Sequence, residues 1–362
     1  MFAASHLNQS LGGKAGASCW NCFLLVFSGL FLILTGSASS EITISNVRAA
    51  QRAGTKLVDI DYDVAGATMS LAVGLQVSPD GGATWNVPVT SATGAVGDSV
   101  TPGRNLRITW DAGVDWNGQY STQTRFRVSV EEPFIKVDGG TLPSTSPLGA
   151  LSVSTFYIGK YEVQWGEFQT VRTWAASNGY DIGSVGAGSG SNYPVIDVTW
   201  YQAVKWCNAR SQKEGKTPVY KLSNGAVYRT GDRVPVVNGA ANGYRLPSEK
   251  EWEWAARGGT QTHGYAHSGS NDVNAVAWYY DNSGSATHVV GTKAANELGT
   301  YDMSGNVWEW CFGIYWLPPR VIRGGGWYSL ADACLVGYLD DYPDPAYPGF
   351  NVGFRLALSS VP

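Results

Sequence analysis

Two blocks rich in glycine and tryptophan, Gly299-Thr-Tyr-Asp-Met-Ser-Gly-Asn-Val-Trp-Glu-Trp310 and Arg323-Gly-Gly-Gly-Trp327, followed by a closing Gly353-Phe-Arg355, punctuate the end of this chain. Glycine interrupts regular elements and permits tight turns, and each tryptophan brings a large apolar surface to whatever core those turns enclose. The same bias runs through the chain, with 45 Gly, 15 Trp and 19 Tyr against only 15% charged residues. These features predict a loop-rich structure stiffened by aromatic side chains and exclude a helical bundle. At 362 residues the chain is long enough for two domains, each with its own core.

The formal net charge is −4 and no run of Lys and Arg appears. The electrostatic footprint of a nucleic-acid partner is therefore missing. Near the N-terminus, Lys14 is the only basic residue before the apolar run Phe23–Leu34, and Gly36-Ser-Ala38 offers small residues to a signal peptidase. Residues 1–38 read as a signal peptide, with an uncleaved anchor as the alternative. The run is short for a bilayer span, and no other membrane contact is expected. The mature chain would be secreted, periplasmic or on the cell surface, in an oxidising compartment. Cys19 and Cys22 would leave with the signal, while Cys207, Cys311 and Cys334 remain. An odd count leaves at least one thiol without an intramolecular partner.

Residues 41–132 carry short alternating segments: Ile42–Ile44, Leu57–Val64, Leu71–Val77, Leu106–Trp110 and Arg125–Val130. Turn formers such as Pro79-Asp-Gly-Gly82 and Pro102-Gly103 separate them. This spacing predicts an all-β sandwich of immunoglobulin type, a spacer or adhesion module with no cluster of titratable residues. Residues 133–147, rich in Pro, Ser, Thr and Gly, read as a linker.

Further landmarks follow in order. Phe156–Val163 reads as a strand, and Gly166–Trp174 has helical spacing with Phe168, Val171 and Trp174 on one side. A second helix follows Pro194–Trp200, with Ala203, Trp206, Cys207 and Arg210 at three- and four-residue intervals. In Tyr244–Arg257, Ser248 followed by Glu251 is a capping box. His263, His267 and His288 lie in Gly/Ser-rich surroundings and read as surface loop residues.

In this order, over residues 148–359, the landmarks and closing blocks resemble the formylglycine-generating enzymes, the sulfatase-modifying factor family. The resemblance implies an irregular α+β domain of the C-type-lectin-like kind. It also implies Ca2+, with the carboxylates of Asp302 and Glu309 and the main-chain carbonyls of Gly305 and Val307 as ligands. A hard cation takes such oxygen donors, and two carboxylates offset its charge.

In the oxygen-dependent members of that family two cysteines hold Cu(I), and by the resemblance those places fall on Ser329 and Cys334. Soft Cu(I) needs soft sulfur donors, so a hydroxyl beside one thiol implies no copper. Ala333, Leu335 and Gly326 also depart from the active pattern, whereas Trp308 and Asn351 match it. For Cys311 and Cys334, a disulfide and free thiols both remain open.

Two function classes follow. One is a protein-thiol oxidase of the formylglycine-generating type, or a related enzyme using Cys334. The other, favoured by Ser329, is a non-catalytic module binding an extracellular protein or glycan. The stretch Tyr328–Asn351 contains no Lys, Glu, Gln, Met or Trp and is rich in Tyr, Asp and Pro, a composition suited to recognition loops. It resembles the variable regions of retroelement-diversified proteins. Tyr338, Tyr342 and Tyr347 are the candidate contact residues.

Overall fold

The alternation in Leu57–Ala65 sets the plan of the first part of the molecule. Val58, Ile60, Tyr62 and Val64 are buried while Asp59, Asp61 and Asp63 face the other way, because successive strand side chains leave on opposite faces. The computed structural model describes residues 42–67, 71–313, 321–340 and 344–359, and the chain divides into two units, Met1–Glu131 and Glu132–Pro362. The expected signal peptide and Tyr342 lie outside the described residues.

In the first unit, β1 (Thr43–Gln51), β2 (Leu57–Ala65), β3 (Leu71–Ser78), β4 (Thr93–Gly94), β5 (Gly97–Val100), β6 (Leu106–Asp111) and β7 (Arg125–Glu131) form two antiparallel sheets, ordered β1-β2-β6-β4 and β5-β3-β7. The five segments read from sequence fall on β1, β2, β3, β6 and β7. Ile60, Val77, Ile108 and Trp110, drawn from both sheets, share one apolar cluster, as expected of two layers packed face to face. On the outer surface Arg52 pairs with Asp59 and Arg107 with Asp61. A short helix, α1 (Ala112–Asp115), follows β6.

The second unit begins earlier than the composition of residues 133–147 suggests. That segment is not a linker: it supplies β8 (Phe134–Val137) and β9 (Gly140–Thr141), the latter pairing with β10 (Ser152–Val153). β8 lies against β11 (Phe156–Gly159), whose other edge takes β18 (Ala357–Ser359). The two ends of the unit are thus tied in one sheet. Phe134, Val137 and Leu142 are buried; their short apolar pattern is diluted by the turn residues around it.

Three helices carry the interior: α2 (Trp165–Ala176), α3 (Trp200–Lys213) and α4 (Glu249–Ala256). On α2 the buried side is Phe168, Val171 and Ala175, and Trp174 is only half-buried. The α3 helix is buried almost all round, as a central helix must be. It opens with a capping box between Thr199 and Gln202. The box read at Ser248 and Glu251 opens α4. Between α3 and α4, β12 (Tyr220–Lys221) pairs with β13 (Val236–Val237), and the short α5 (Val273–Val276) follows α4.

The closing blocks build a small sheet of β14 (Trp308–Trp310), β15 (Ile322–Arg323), β16 (Leu339–Asp340) and β17 (Val352–Gly353), ordered β16-β15-β14-β17, with β14 and β17 parallel. Fully burying one large apolar side chain contributes about 1.5–3 kcal/mol, and here the load falls on indoles. Trp200 donates to the carbonyl of Cys311 (3.0 Å), Trp206 to that of Phe168 (3.1 Å) and Trp310 to that of Val198 (2.8 Å). Each of these three buried N–H groups therefore has its partner. Among the described residues no helix is long and apolar enough to cross a membrane.

Candidate functional site

The glycine turn after β15 sets the geometry of the site. Gly324 and Gly325 have φ of 95° and 72°, the left-handed region open to glycine. A Cβ on Gly325 would stand 2.8 Å from the Cys334 sulfur, so the turn and the thiol require each other. Ser329 lies across the turn: its Oγ accepts from the Gly326 N–H (3.0 Å), and its own N–H donates to the Gly326 carbonyl (2.8 Å).

Cys334 ends a short 3-10 helix, Ala331–Cys334. It is fully buried against Ala277 and Tyr279, with its sulfur 3.8 Å from the Leu330 carbonyl. Burial pushes the thiol up to about 12. His267 Nδ1 and the Ser304 hydroxyl both meet the Cys334 carbonyl, at 3.0 and 2.7 Å. His267 is thus a buried structural residue, unlike the surface loop residue expected, while His263 is exposed. Cys311 packs in a different cluster, with Trp252, Met303 and Val321, and burial raises its thiol as well. Cys207, Cys311 and Cys334 are all free. The Cys311–Cys334 disulfide does not form, because the two thiols serve separate apolar clusters.

Trp308 and Asn351 come together: the Trp308 N–H donates to the Asn351 carbonyl (2.9 Å), across the edge where β14 meets β17. Beside them opens a cavity of about 240 Å³ lined by Trp308, Trp310, Ile322, Tyr347, Phe350 and Asn351, among others. Tyr338 is tilted against Trp308 at 6.0 Å between rings and is 39% exposed, and Tyr347 is 63% exposed. Phe350 extends the aromatic wall outward, where Trp327 and Tyr328 meet it edge-on at 5.7 and 5.9 Å, and Tyr280 meets Tyr328 at 5.8 Å. Sequence reading missed Phe350 and Tyr280. Phe350 adjoins Asn351 and could have been found; Tyr280 comes from a distant loop held by its N–H on the Ser329 carbonyl (2.9 Å).

The residues expected to hold Ca2+ divide into two groups. Asp302 has φ 56° and accepts the Gly291 N–H on Oδ2 (2.6 Å), while its Oδ1 is buried without a partner. Burial raises its carboxyl to about 6. Glu309 is already engaged: Arg355 grips it with Nε (2.6 Å) and Nη2 (2.5 Å), and the Trp252 indole donates to Oε2 (2.7 Å). Gly305 donates its N–H to the Gly324 carbonyl (2.8 Å), and the Val307 N–H donates to Glu162 (3.1 Å). Glu162 is itself pushed well above its usual range, first by burial and then by Asp302 and Glu309. Among the described residues, no three His, Cys, Asp or Glu side chains are grouped to hold a metal. Of the four expected donors, Glu309 is already charge-paired with Arg355, whereas Asp302 keeps one unpartnered oxygen.

Comparison with known proteins bears on this geometry. The sequence pattern of the sulfatase-modifying factor enzyme 1-like domain matches residues 113–360. The chaperone protein LppX of Paenibacillus barcinonensis is 34% identical over 275 residues, covering 67% of this chain and 95% of that protein. Inactive C-alpha-formylglycine-generating enzyme 2 of Bos taurus is 29% identical over 195 residues, 48% of this chain and 54% of the other. Among solved structures, Treponema denticola variable protein 1 superposes with a TM-score of 0.51 at 31% identity, over 62% of this chain and 94% of its own.

Proposed function

The chain belongs to the sulfatase-modifying factor family, and from that premise we propose that it is a non-catalytic binding module whose recognition surface is the segment Tyr328–Asn351. The observation that carries this reading is the state of the two positions expected to hold copper. Ser329 offers a hydroxyl turned onto the Gly326 N–H. Cys334 is a buried thiol raised to about 12, so it is protonated at neutral pH. Copper ligation and thiol chemistry both need the thiolate, and Cu(I) needs soft sulfur donors.

Other observations support the same reading. One relative carries the word inactive in its name, and another is named a chaperone, a role that involves recognising a polypeptide. A solved relative is named a variable protein. The first unit is then an immunoglobulin-like spacer, and the Phe23–Leu34 run directs secretion.

The test is copper titration of the purified protein with a cysteine-peptide oxidation assay. The expected outcome is no stoichiometric Cu(I) binding and no formylglycine product. Oxygen- and copper-dependent turnover by the unmodified protein would overturn the reading and restore the oxidase alternative.

A further inference from the structure

The protein covers many of its aromatic faces with its own cations. Arg127 stands 4.0 Å over Trp85, Lys293 4.1 Å over Trp278, Arg210 4.4 Å over Tyr244 and Arg172 5.3 Å over Trp165. The rim departs from this habit. Tyr280, Tyr328, Tyr347 and Phe350 are 53%, 55%, 63% and 50% exposed, and among the described residues none has a Lys or Arg over its ring.

Local sequence explains the difference. No Lys, Arg or His occurs between Arg323 and Arg355, whereas Asp332, Asp340, Asp341 and Asp344 all do. The two bounding arginines are fully buried in ion pairs with Glu253 and Glu309. Asp332 and Asp344 are exposed, and among the described residues their carboxylates accept only from the nearby N–H groups of Ala333 and Ala346. Asp281, beside Tyr280, is exposed as well. Among the described residues, none of these three carboxylates is in an ion pair.

The rim is also held in advance of any partner. Backbone bonds run from the Trp200 N–H to the Pro345 carbonyl (3.0 Å) and from the Asp197 N–H to the Gly349 carbonyl (3.1 Å). These two bonds meet part of the ordering cost of binding in advance.

We propose that this aromatic and acidic rim binds a cationic polypeptide segment, with arginine or lysine side chains over the faces of Tyr328, Phe350 and Tyr347 and the aspartates around them. The proposal rests on the binding-module reading and adds the chemistry of the partner. Ring faces carry negative electrostatic potential and attract a guanidinium or ammonium group. The surrounding carboxylates draw the same charge from a distance and are weakened by salt.

The test is a titration of the full chain, followed by tryptophan fluorescence, with a synthetic peptide carrying four arginines in a Gly/Ser frame. The same frame carrying glutamates, and a panel of neutral oligosaccharides, serve as comparisons. The arginine peptide should bind and weaken as salt rises, and the glutamate peptide should not bind. Tyr328→Ala and Phe350→Ala should each weaken binding by about two- to fivefold. Should either variant lose its fold, the conservative pair Asp281→Asn and Asp344→Asn decides instead, and it should reduce both affinity and salt dependence. Equal binding of both peptides, or arginine-peptide binding untouched by these variants, overturns the proposal. Binding of a neutral oligosaccharide without the peptide overturns the cationic partner but leaves the binding module standing; only cysteine turnover removes both.

Discussion

The interior of the second unit and its exposed rim use aromatic residues to opposite ends. In the interior, Trp200, Trp206, Trp252 and Trp310 are fully buried, and each indole N–H has an acceptor: three carbonyls and the Glu309 carboxylate. In the rim, Tyr280, Tyr328, Tyr347 and Phe350 are half exposed or more. An indole with a buried, bonded N–H adds its area to the core at no polar cost. Exposed aromatics gathered in one patch forgo that gain, which is the physical ground for proposing a contact surface there. With few ladder hydrogen bonds available, side-chain bonds to the backbone hold the loops of the interior in place.

Breaking the interior should cost the most. Arg355→Ala strands the Glu309 carboxylate in a dry core, and loss of one partner of such a buried pair costs about 3–5 kcal/mol. Urea unfolding should show this drop; a loss below about 1 kcal/mol would mean that the pair does not hold the interior together.

Next comes the pH response of the same region. Asp302 is raised by burial from 3.8 to about 6, so the folded state holds a proton that the unfolded chain has released. Stability should therefore fall as pH rises from about 4 to about 6, by up to about 3 kcal/mol. Glu162 is shifted in the same direction. In Asp302→Asn, unfolding free energies measured across that window should flatten; an unchanged slope would assign the response to Glu162.

Perturbing the rim should hardly affect stability. Tyr338→Ala, Tyr347→Ala and Phe350→Ala remove exposed or half-exposed rings and should each change unfolding free energy by about 0.5 kcal/mol or less. A larger loss would make these aromatics part of the core. The smallest effect is expected from calcium: because Arg355 occupies Glu309, neither EDTA nor added Ca2+ should move the melting temperature. A calcium-dependent rise would show that the unpartnered Asp302 oxygen does take a cation.

Much of the fold was legible in local signals. The strands of the first unit follow from alternation, as in Val58, Ile60, Tyr62 and Val64. The start of α4 follows from Ser248 and Glu251. The β8 strand was not legible, because four residues among Pro, Ser, Thr and Gly carry too little pattern. Trp308 and Asn351 could be named from sequence, but not the cavity beside them, which needs Ile322 brought in from another segment. The choice between a Cys311–Cys334 disulfide and free thiols stayed open for a related reason: spacing says nothing about which apolar cluster a buried cysteine joins.

The sequence by itself determined the family, the two-unit plan, the replacement of one copper-binding cysteine by Ser329, and the lack of any basic residue along the rim. All of these are properties of residue identity and short-range order. Only the tertiary structure decided that Glu309 meets a guanidinium, through a partner 46 positions away. It alone decided that Cys311 and Cys334 stay apart, and that Tyr280 joins Tyr328 and Phe350. Those outcomes depend on which distant groups compete for the same buried carboxylate, thiol or ring face, and that competition is settled only when the chain closes on itself.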